Sequence, residues 1–496
     1  MGIPSYFRTL LKSHPHTIRQ TLPIQVKSLC FDFNCLIYRC LHAPELRPFP
    51  GCTDPEDADR WEGELLDTVV HTVKEVWTAA GSPAHVYLAV DGVVPMAKIR
   101  QQRVRRFKSA WLSQGGWDKN AITPGTLFMD KLTTALQALV KKQGSKWVLS
   151  SVNEPGEGEH KLLAYLRGSA LSSHPMLIYG LDADLILLSM LLSQQTSQPV
   201  WLMRERQEFE SKGSVSVSEY SFLDIEAVKE KIHVTDWMSC LNYVTLMSLM
   251  GNDFLPHSLT HKLANDGHSK VIQELLSMKE TGAWLVTPTL NLSVLQGIAS
   301  RWATEETERM YQMIEHKQKQ GKRGVLPGMD ESEGLPLVWN VEKELLNGRK
   351  LVDDWRARYW SFMHERVNRE QVCGEYVKGI QWIVAYYLGE PVDKEWMYPY
   401  WIPPLWSDLA RMSSMPRMGS GGSLPPSPQE QLTMVLPLAS WGLVREPYRR
   451  LPLLCPQAWP TDFSFFSLGR RWLWECEARV PVLTAGRIRE LLMENK

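Results

Sequence analysis

The sequence predicts an α/β protein: a mostly parallel central sheet flanked by helices, with a mainly α-helical second domain packed on it. Three observations carry that expectation. Short apolar runs recur and each hands over to an acid, at Asp32, at Asp91, and at Asp182 with Asp184. Between them lie stretches with apolar residues at helical spacing, the alternation expected of strands joined by crossover helices. With 496 residues the chain exceeds what one hydrophobic core usually serves. We therefore expect an α/β domain over 1–235 and a mainly helical one over 236–496.

In order, Gly2–Leu11 offers a Pro4 turn and an apolar helix start, and Val26–Phe31 is a strand candidate ending at Asp32. The Pro- and Asp-rich stretch Arg47–Asp59 reads as a loop, and Trp61–Trp77 as a helix covering the sheet. Val86–Val90 is a second strand, ending at Asp91, followed by a basic segment over Lys98–Lys108. Leu127–Gln143 is amphipathic, and Lys146–Ser151 is a strand. Glycines flank Glu157 and allow a tight turn into a helix over Glu159–Arg167. Met176–Tyr179 is a buried strand that delivers Asp182 and Asp184, and Pro199–Met203 is a further strand. Asp236–Met250 is helical in pattern and delivers Gly251-Asn252-Asp253. Ser269–Lys319 is mostly helical with a break near Thr287, and helices resume from Trp339 to Leu388, where Trp355, Tyr359, Trp360 and Phe362 read as core aromatics. Polar, Gly- and Pro-rich composition makes 317–334 and 413–428 flexible loops. Asp462–Lys496 reads as a small hairpin and a closing helix.

Seven acids follow from this layout: Asp32, Asp91, Glu157, Glu159, Asp182, Asp184 and Asp253. In open α/β sheets the ligand site lies beyond the carboxyl ends of the strands, which gathers these side chains at one edge. A single aspartate after a strand is as readily a helix cap. Seven together require a cation, and hard oxygen donors in that number suit Mg²⁺ or Mn²⁺. Lys98, Gln102, Arg105 and Arg106 fall largely on one helix face. That spacing fits a solvated charged face, and it also fits a phosphate pocket of Arg forks and a Lys point charge.

With 55 basic and 55 acidic side chains the net charge is zero, so any affinity for nucleic acid must come from local patches. The eight cysteines include no C-x-x-C pair, which argues against zinc and for reduced, intracellular thiols. No apolar run approaches the roughly 18 residues that span a membrane. The N-terminus lacks a signal peptide pattern, and Tyr6 breaks the myristoylation pattern.

Several ordered motifs resemble the Xrn family of 5′-to-3′ exoribonucleases: Met1–Phe7, Asp91-Gly92-Val93 with Ala97-Lys98 and Gln101–Phe107, Ile122–Thr126, Pro155–Lys161, Gly180–Leu185, Gly251–Pro256, Tyr376–Trp382, Glu395–Tyr400 and Trp474–Leu492. The resemblance spans essentially the whole chain and implies a PIN/FEN-like nuclease core. It implies that two Mg²⁺ or Mn²⁺ ions are held, one mainly by Asp32, Asp91, Glu157 and Glu159 and the other by Asp182, Asp184 and Asp253. It further implies that Lys98, Gln102, Arg105 and Arg106 bind the 5′-monophosphate of single-stranded RNA, released one nucleotide per cycle. Tyr38 stands where the family typically has a histidine that stacks on the terminal base, Cys35 replaces the usual glycine, and Trp396 is the candidate for a second stacking residue. The cysteine-free interval Glu205–Asp224 lacks the zinc knuckle of nuclear members, so the cytoplasmic type is expected. The chain ends where the family's catalytic core ends. Leu255–Lys262 lacks the Gly-rich hairpin with which flap endonucleases grip duplex DNA. A flap-type DNA 5′-nuclease and a catalytically silent RNA-binding module are the alternatives; protein partners are not legible.

Overall fold

The computed structural model describes residues 6–51, 54–112, 116–180, 182–206, 219–320, 341–363, 367–417, 419 and 424–494. A seven-stranded sheet has the order β1-β7-β6-β5-β2-β3-β4. Its strands are β1 (Ile18–Arg19), β2 (Ser28–Asp32), β3 (His85–Ala89), β4 (Trp147–Ser150), β5 (Met176–Tyr179), β6 (Val200–Glu205) and β7 (Tyr220–Asp224). The five strands β6-β5-β2-β3-β4 are mutually parallel, whereas β7 runs antiparallel to β6 and β1 to β7. The chain leaves β2 toward β3 and β4, then returns to β5 on the other side. Such a reversal of strand order opens a crevice at the carboxyl ends, and Asp32 lies in it.

Helices cover both faces, which is why the parallel strands read as continuous apolar runs. Along β5, Met176 and Ile178 face one core while Leu177 and Tyr179 face another, the period-2 alternation of a pleated strand. The first core is completed by α6 (Gly158–Gly168), α7 (Asp184–Thr196), α9 (Trp237–Ser248) and α13 (Arg369–Leu388). The second is completed by α2 (Asn34–Cys40), α3 (Pro55–Ala79) and α5 (Leu127–Gln143). The remaining helices in this part of the chain are α1 (Tyr6–Ser13), α4 (Met96–Leu112), α8 (Ile225–Lys231), α10 (Gly267–Thr281), α11 (Leu292–Gln320) and α12 (Trp355–Ser361). A third core joins α4 to the C-terminal segment through Ile99, Phe107, Leu432, Trp459 and Ile488. Arg103, 1 % exposed, pins that contact by donating to the carbonyls of Pro481 (2.6 Å), Met434 (2.7 Å) and Ala458.

Several boundaries depart from expectation for local reasons. The loop expected over 47–59 gives way to helix at Pro55, because Asp54 accepts from the N–H groups of Glu56 (3.0 Å) and Asp57 (3.3 Å) and Pro55 suits the first helical position. The loop expected over 317–334 begins later. Lys317, 1 % exposed, is still in α11 and donates to both carboxylate oxygens of Glu342 at 2.9 Å; 321–334 lies outside the described residues. The loop expected over 413–428 ends in a capping box, Ser427 with Glu430, that starts the helix Pro428–Val435; residues 418 and 420–423 lie outside the described residues. The helical run expected from Trp339 is interrupted by a two-residue antiparallel pair, Leu346–Asn347 with Lys350–Leu351. The short edge strand β1 and its partner β7 were not anticipated. The expected terminal hairpin and helix are present as Phe465–Phe466 paired with Glu477–Ala478, and Ala485–Glu494. Trp355, Tyr359 and Trp360 are core residues, as expected, whereas Phe362, at the C-terminal cap of α12, only packs partly buried against that core.

Candidate active site

The acids are brought together by strand ends and helix starts. Asp32 closes β2, and Asp91 lies two residues past β3, where its N–H donates to Asn34 Oδ1 at 3.2 Å. The N–H of Gly158, first residue of α6, donates to Asp91 Oδ1 at 2.6 Å and so fixes that helix start against the strand. Only glycine fits there: a Cβ would lie 2.7 Å from both Ala89 O and Asp32 Oδ1. Glu157 and Glu159 flank Gly158 and are 4 % and 7 % exposed, where the helix N-terminus favours negative charge. Asp184 opens α7, with Asp182 exposed just before it. Asp253 comes from the turn after α9, which passes through Gly251 at φ +100°, a conformation that favours glycine.

Electrostatics bind these groups into one cluster. Burial, then Asp91, Asp182 and Glu157, push Asp32 well above the ordinary carboxylate range. Burial, then Glu157, Asp184 and Asp32, do the same to Glu159. Asp184 is pushed up to about 7 by burial and by Asp253. Asp91 is also raised, by burial against the bond from Gly158. Lys98 sits among them, its ammonium paired with Glu157 and, at 2.8 Å, with Asp253. Burial opposes its charge, but Asp253, Glu157 and Glu159 outweigh that and hold Lys98 well above its usual value. Burial would raise Asp253 as well; Lys98 overcomes it and holds this carboxyl below the usual range. A cluster that raises four carboxyls and draws a lysine into its centre is short of positive charge, and its all-oxygen donor set fits hard divalent cations.

Of the four residues expected at a terminal phosphate, Lys98 thus reaches the acids. Gln102 is buried with Oε1 unpartnered among the described residues. Arg106 donates to Thr123 Oγ1 at 2.5 Å; burial lowers it to about 10, so it stays cationic at neutral pH, and Tyr38 is among the groups close enough to act on it. Arg105 is half-buried on the same helix. Tyr38, 38 % exposed, is therefore on the Arg106 side of the site. Among the described residues, Trp396 donates to Glu375 and makes no hydrogen bond to the seven acids. It packs on Trp382 (5.4 Å between ring centroids), which stacks on Tyr386 (4.7 Å).

Sequence reasoning missed three residues. Tyr386 donates to Glu157 Oε1 at 2.7 Å, from a helix that looked like core in the sequence. His160 packs on Tyr386 at 3.9 Å, burial lowers it to about 4, and its ligand atom lies within 4.8 Å of those of Glu157 and Glu159, making it a third potential donor to a cation. Its place directly after Glu159 was the available signal. Gln101 Nε2 donates to Asp253 Oδ1 at 3.4 Å.

The family model of the XRN 5′-3′ exonuclease N-terminus matches residues 1–115 and 111–206, and that of the Xrn1 helical domain matches 347–495. The chain belongs to the Xrn family. The 5′-3′ exoribonuclease 2 homolog of Drosophila melanogaster is 24 % identical over 99 % of this chain and 71 % of its own length. The 5′-3′ exoribonuclease 1 of Homo sapiens is 25 % identical over 99 % of this chain, which spans 34 % of the human protein. The 5′-3′ exoribonuclease 2 of Kluyveromyces lactis reaches 33 %, over 38 % of this chain and 24 % of its own length. Among solved structures, the catalytic core of Rad2 in complex with DNA substrate covers 63 % of this chain and 76 % of its own at 14 % identity and a TM-score of 0.34, too remote to carry an argument. Each seam of the acid cluster falls inside the matched N-terminal region except Asp253, which lies between the two matched stretches.

Proposed function

We propose that this Xrn chain is a 5′-3′ exoribonuclease that removes nucleotides one at a time from single-stranded RNA bearing a 5′-monophosphate. The observation that carries the reading is the seven-carboxylate cluster at the sheet's carboxyl edge, with the cationic side of α4 directly beside it.

Asp32, Asp91, Glu157 and Glu159, with His160 at hand, would hold one Mg²⁺ or Mn²⁺, and Asp182, Asp184 and Asp253 a second. Two such ions, when bound, activate a water and stabilise the scissile phosphate and leaving oxygen. The chain's own residues do the rest. Tyr386 and the N–H of Gly158 orient Glu157 and Asp91. Lys98, once the carboxylates it now pairs with are engaged elsewhere, is freed to reach a terminal phosphate with Gln102, Arg105 and Arg106. That phosphate sets the register, and a 5′-hydroxyl would leave those cations unmatched. Tyr38, near Arg106, would stack on the first base.

The test is Mg²⁺-dependent decay of a 3′-labelled single-stranded RNA with a 5′-monophosphate or a 5′-hydroxyl, alongside a matched DNA. Rapid loss of the monophosphate RNA alone, without stable intermediates, supports the proposal. Equal cleavage of both ends, or preference for branched DNA, overturns it in favour of a flap-type nuclease; binding without cleavage overturns it in favour of a silent module. Arg105→Ala should bring the rates on the two ends together, and an unchanged ratio rejects the phosphate pocket.

A further inference from the structure

Beside the acids lies a cavity of about 580 Å³; of its lining residues the mechanism above uses only Asp253 and Arg105. Its walls are one side of α4, the loop from Asn252 to Leu263 and the segment from Arg470 to Glu477. Arg100, Val104 and Lys108 line it, each two residues on from Lys98, Gln102 and Arg106. At about 100° per residue, two positions turn the helix by roughly 200°. Gln101 and Arg105 line it too, so the cavity runs along the side of α4 next to the expected terminal-phosphate residues and shares Arg105 with them.

Its charge is lopsided. Seven cationic side chains line it against three carboxylates. Those carboxylates are engaged: Asp253 by Lys98, Glu475 by the N–H groups of Arg471 (2.5 Å) and Trp472 (3.2 Å), Glu477 by Arg470 (3.2 Å). Lys262 and Arg470 are 7 % and 4 % exposed, and Lys262 donates to the carbonyl of Gly469 at 2.6 Å rather than to an acid. Burial, with Arg470 and Arg471 nearby, pulls Lys262 down to about 8. Four donors on lining residues have no acceptor among the described residues: Nε of Arg470, Nε of Arg471, Nε1 of Trp474 and Nδ2 of Asn252. Gathering buried cations and unmet donors around an empty volume is costly unless an acceptor-rich anion occupies it. Tyr400, Trp472 and Trp474 add aromatic surface, and the volume is that of a small-molecule site.

We propose that this cavity binds the phosphate of a mononucleotide, with the aromatic side chains taking the base, and that its occupant is the nucleoside 5′-monophosphate released at the adjoining acids. The identity of that occupant rests on the exoribonuclease reading; the anion site does not. Single-stranded RNA carries the same phosphate chemistry, so the test separates the two sources.

The experiment is isothermal titration in EDTA, without turnover, in an Arg106→Gln background that weakens the terminal-phosphate residues on the neighbouring side of α4. The titrants are adenosine 5′-monophosphate, adenosine and a short 5′-hydroxyl oligoribonucleotide. The expected result is one site for the monophosphate, with adenosine at least tenfold weaker. Adding Arg471→Gln should weaken the monophosphate at least tenfold. Arg8→Glu, at an exposed position on α1 that lines the cavity and so carries little folding risk, should weaken it about threefold or more. Monophosphate affinity unmoved by both substitutions, or lost with Arg106→Gln alone, overturns the proposal. Tight binding of the oligoribonucleotide with none of the monophosphate also overturns it, and makes the cavity a groove for the strand. Failure of the exoribonuclease reading is seen separately, as absent RNA decay with Arg471-dependent monophosphate binding intact.

Discussion

Lys98→Met probes the balance of charge at the acids without relying on turnover. The Lys98 side chain is 14 % exposed, and its ammonium lies 2.8 Å from Asp253 Oδ2 and is also paired with Glu157. At an effective dielectric of about 20, a pair at that distance attracts by about 6 kcal/mol. Desolvation of the ammonium offsets several kcal/mol, so the net loss on removing one partner of a buried pair is about 3–5 kcal/mol. Methionine keeps the length and apolar stem, which confines the change to charge. In EDTA at pH 8 the variant should unfold at a clearly lower urea concentration than the parent. At pH 5 the deficit should shrink. With Lys98 gone the carboxyls rise further above their unfolded values, and groups of that kind add stability below those pKa values and lose it as pH rises through them. Asp184, already at about 7, marks the window. Millimolar Mg²⁺ should close most of the gap at pH 8, because the cation supplies the missing charge. An EDTA-treated variant as stable as the parent, or a deficit indifferent to both pH and Mg²⁺, would refute the view that Lys98 is the cluster's internal counter-ion.

Three further outcomes follow from the same geometry. Gly158→Ala should cut RNA hydrolysis by about 100-fold or more with helix content retained, since its Cβ would lie 2.7 Å from Asp32 Oδ1 and Ala89 O and must shift the acids; wild-type rates would show that the cleft can give. Tyr386→Phe removes the 2.7 Å bond to Glu157 and should raise the Mg²⁺ concentration for half-maximal rate about 10- to 100-fold, with RNA binding in EDTA unchanged; an unmoved Mg²⁺ profile rejects the orienting role. His261 is buried and stacked on Trp302, and burial lowers it to about 4, so it is neutral when folded. The unfolded chain takes up that proton first as pH falls, so stability present above about pH 6.5 is lost toward pH 4, by about 3 kcal/mol; His261→Phe should flatten that part of a urea-midpoint profile, and an equal slope in both proteins dismisses the histidine as its source.

The acids were legible because each sits at a strand end or helix start, and strand ends are written in short apolar runs such as Met176–Tyr179. Topology did the rest, since parallel pairing of β3, β2 and β5 fixes which ends share an edge. The β1 edge and the strand β7 beside it were not legible. β1 has two residues, and its pairing with Phe222 and Leu223 joins positions some two hundred apart. Nor was Tyr386, whose hydroxyl acts at the site while its ring is packed on Trp382, so its helix reads as core. Lys98 shows a different limit. Spacing places it on one face with Gln102 and Arg106, but a flexible ammonium goes where the field is strongest, and that is set by carboxylates from distant parts of the chain.

Helix α4 explains why a segment remote in sequence is needed at the acids. One side of it carries Lys98, another carries Arg100 and Lys108, and Arg103 is buried against three carbonyls of the C-terminal segment. A guanidinium satisfied in that way cannot rotate without exposing unmet donors, so the helix is held in one rotational setting. Its neighbours confirm the anchoring at both ends: Met96 N–H donates to Lys394 O at 2.8 Å, and Lys108 to Trp474 O at 2.6 Å. A turn of α4 by even one residue, about 100°, would carry Lys98 away from Glu157 and Asp253 and take Arg106 from Thr123. The C-terminal segment therefore acts on the chemistry without touching it, by fixing which side of α4 the acids meet.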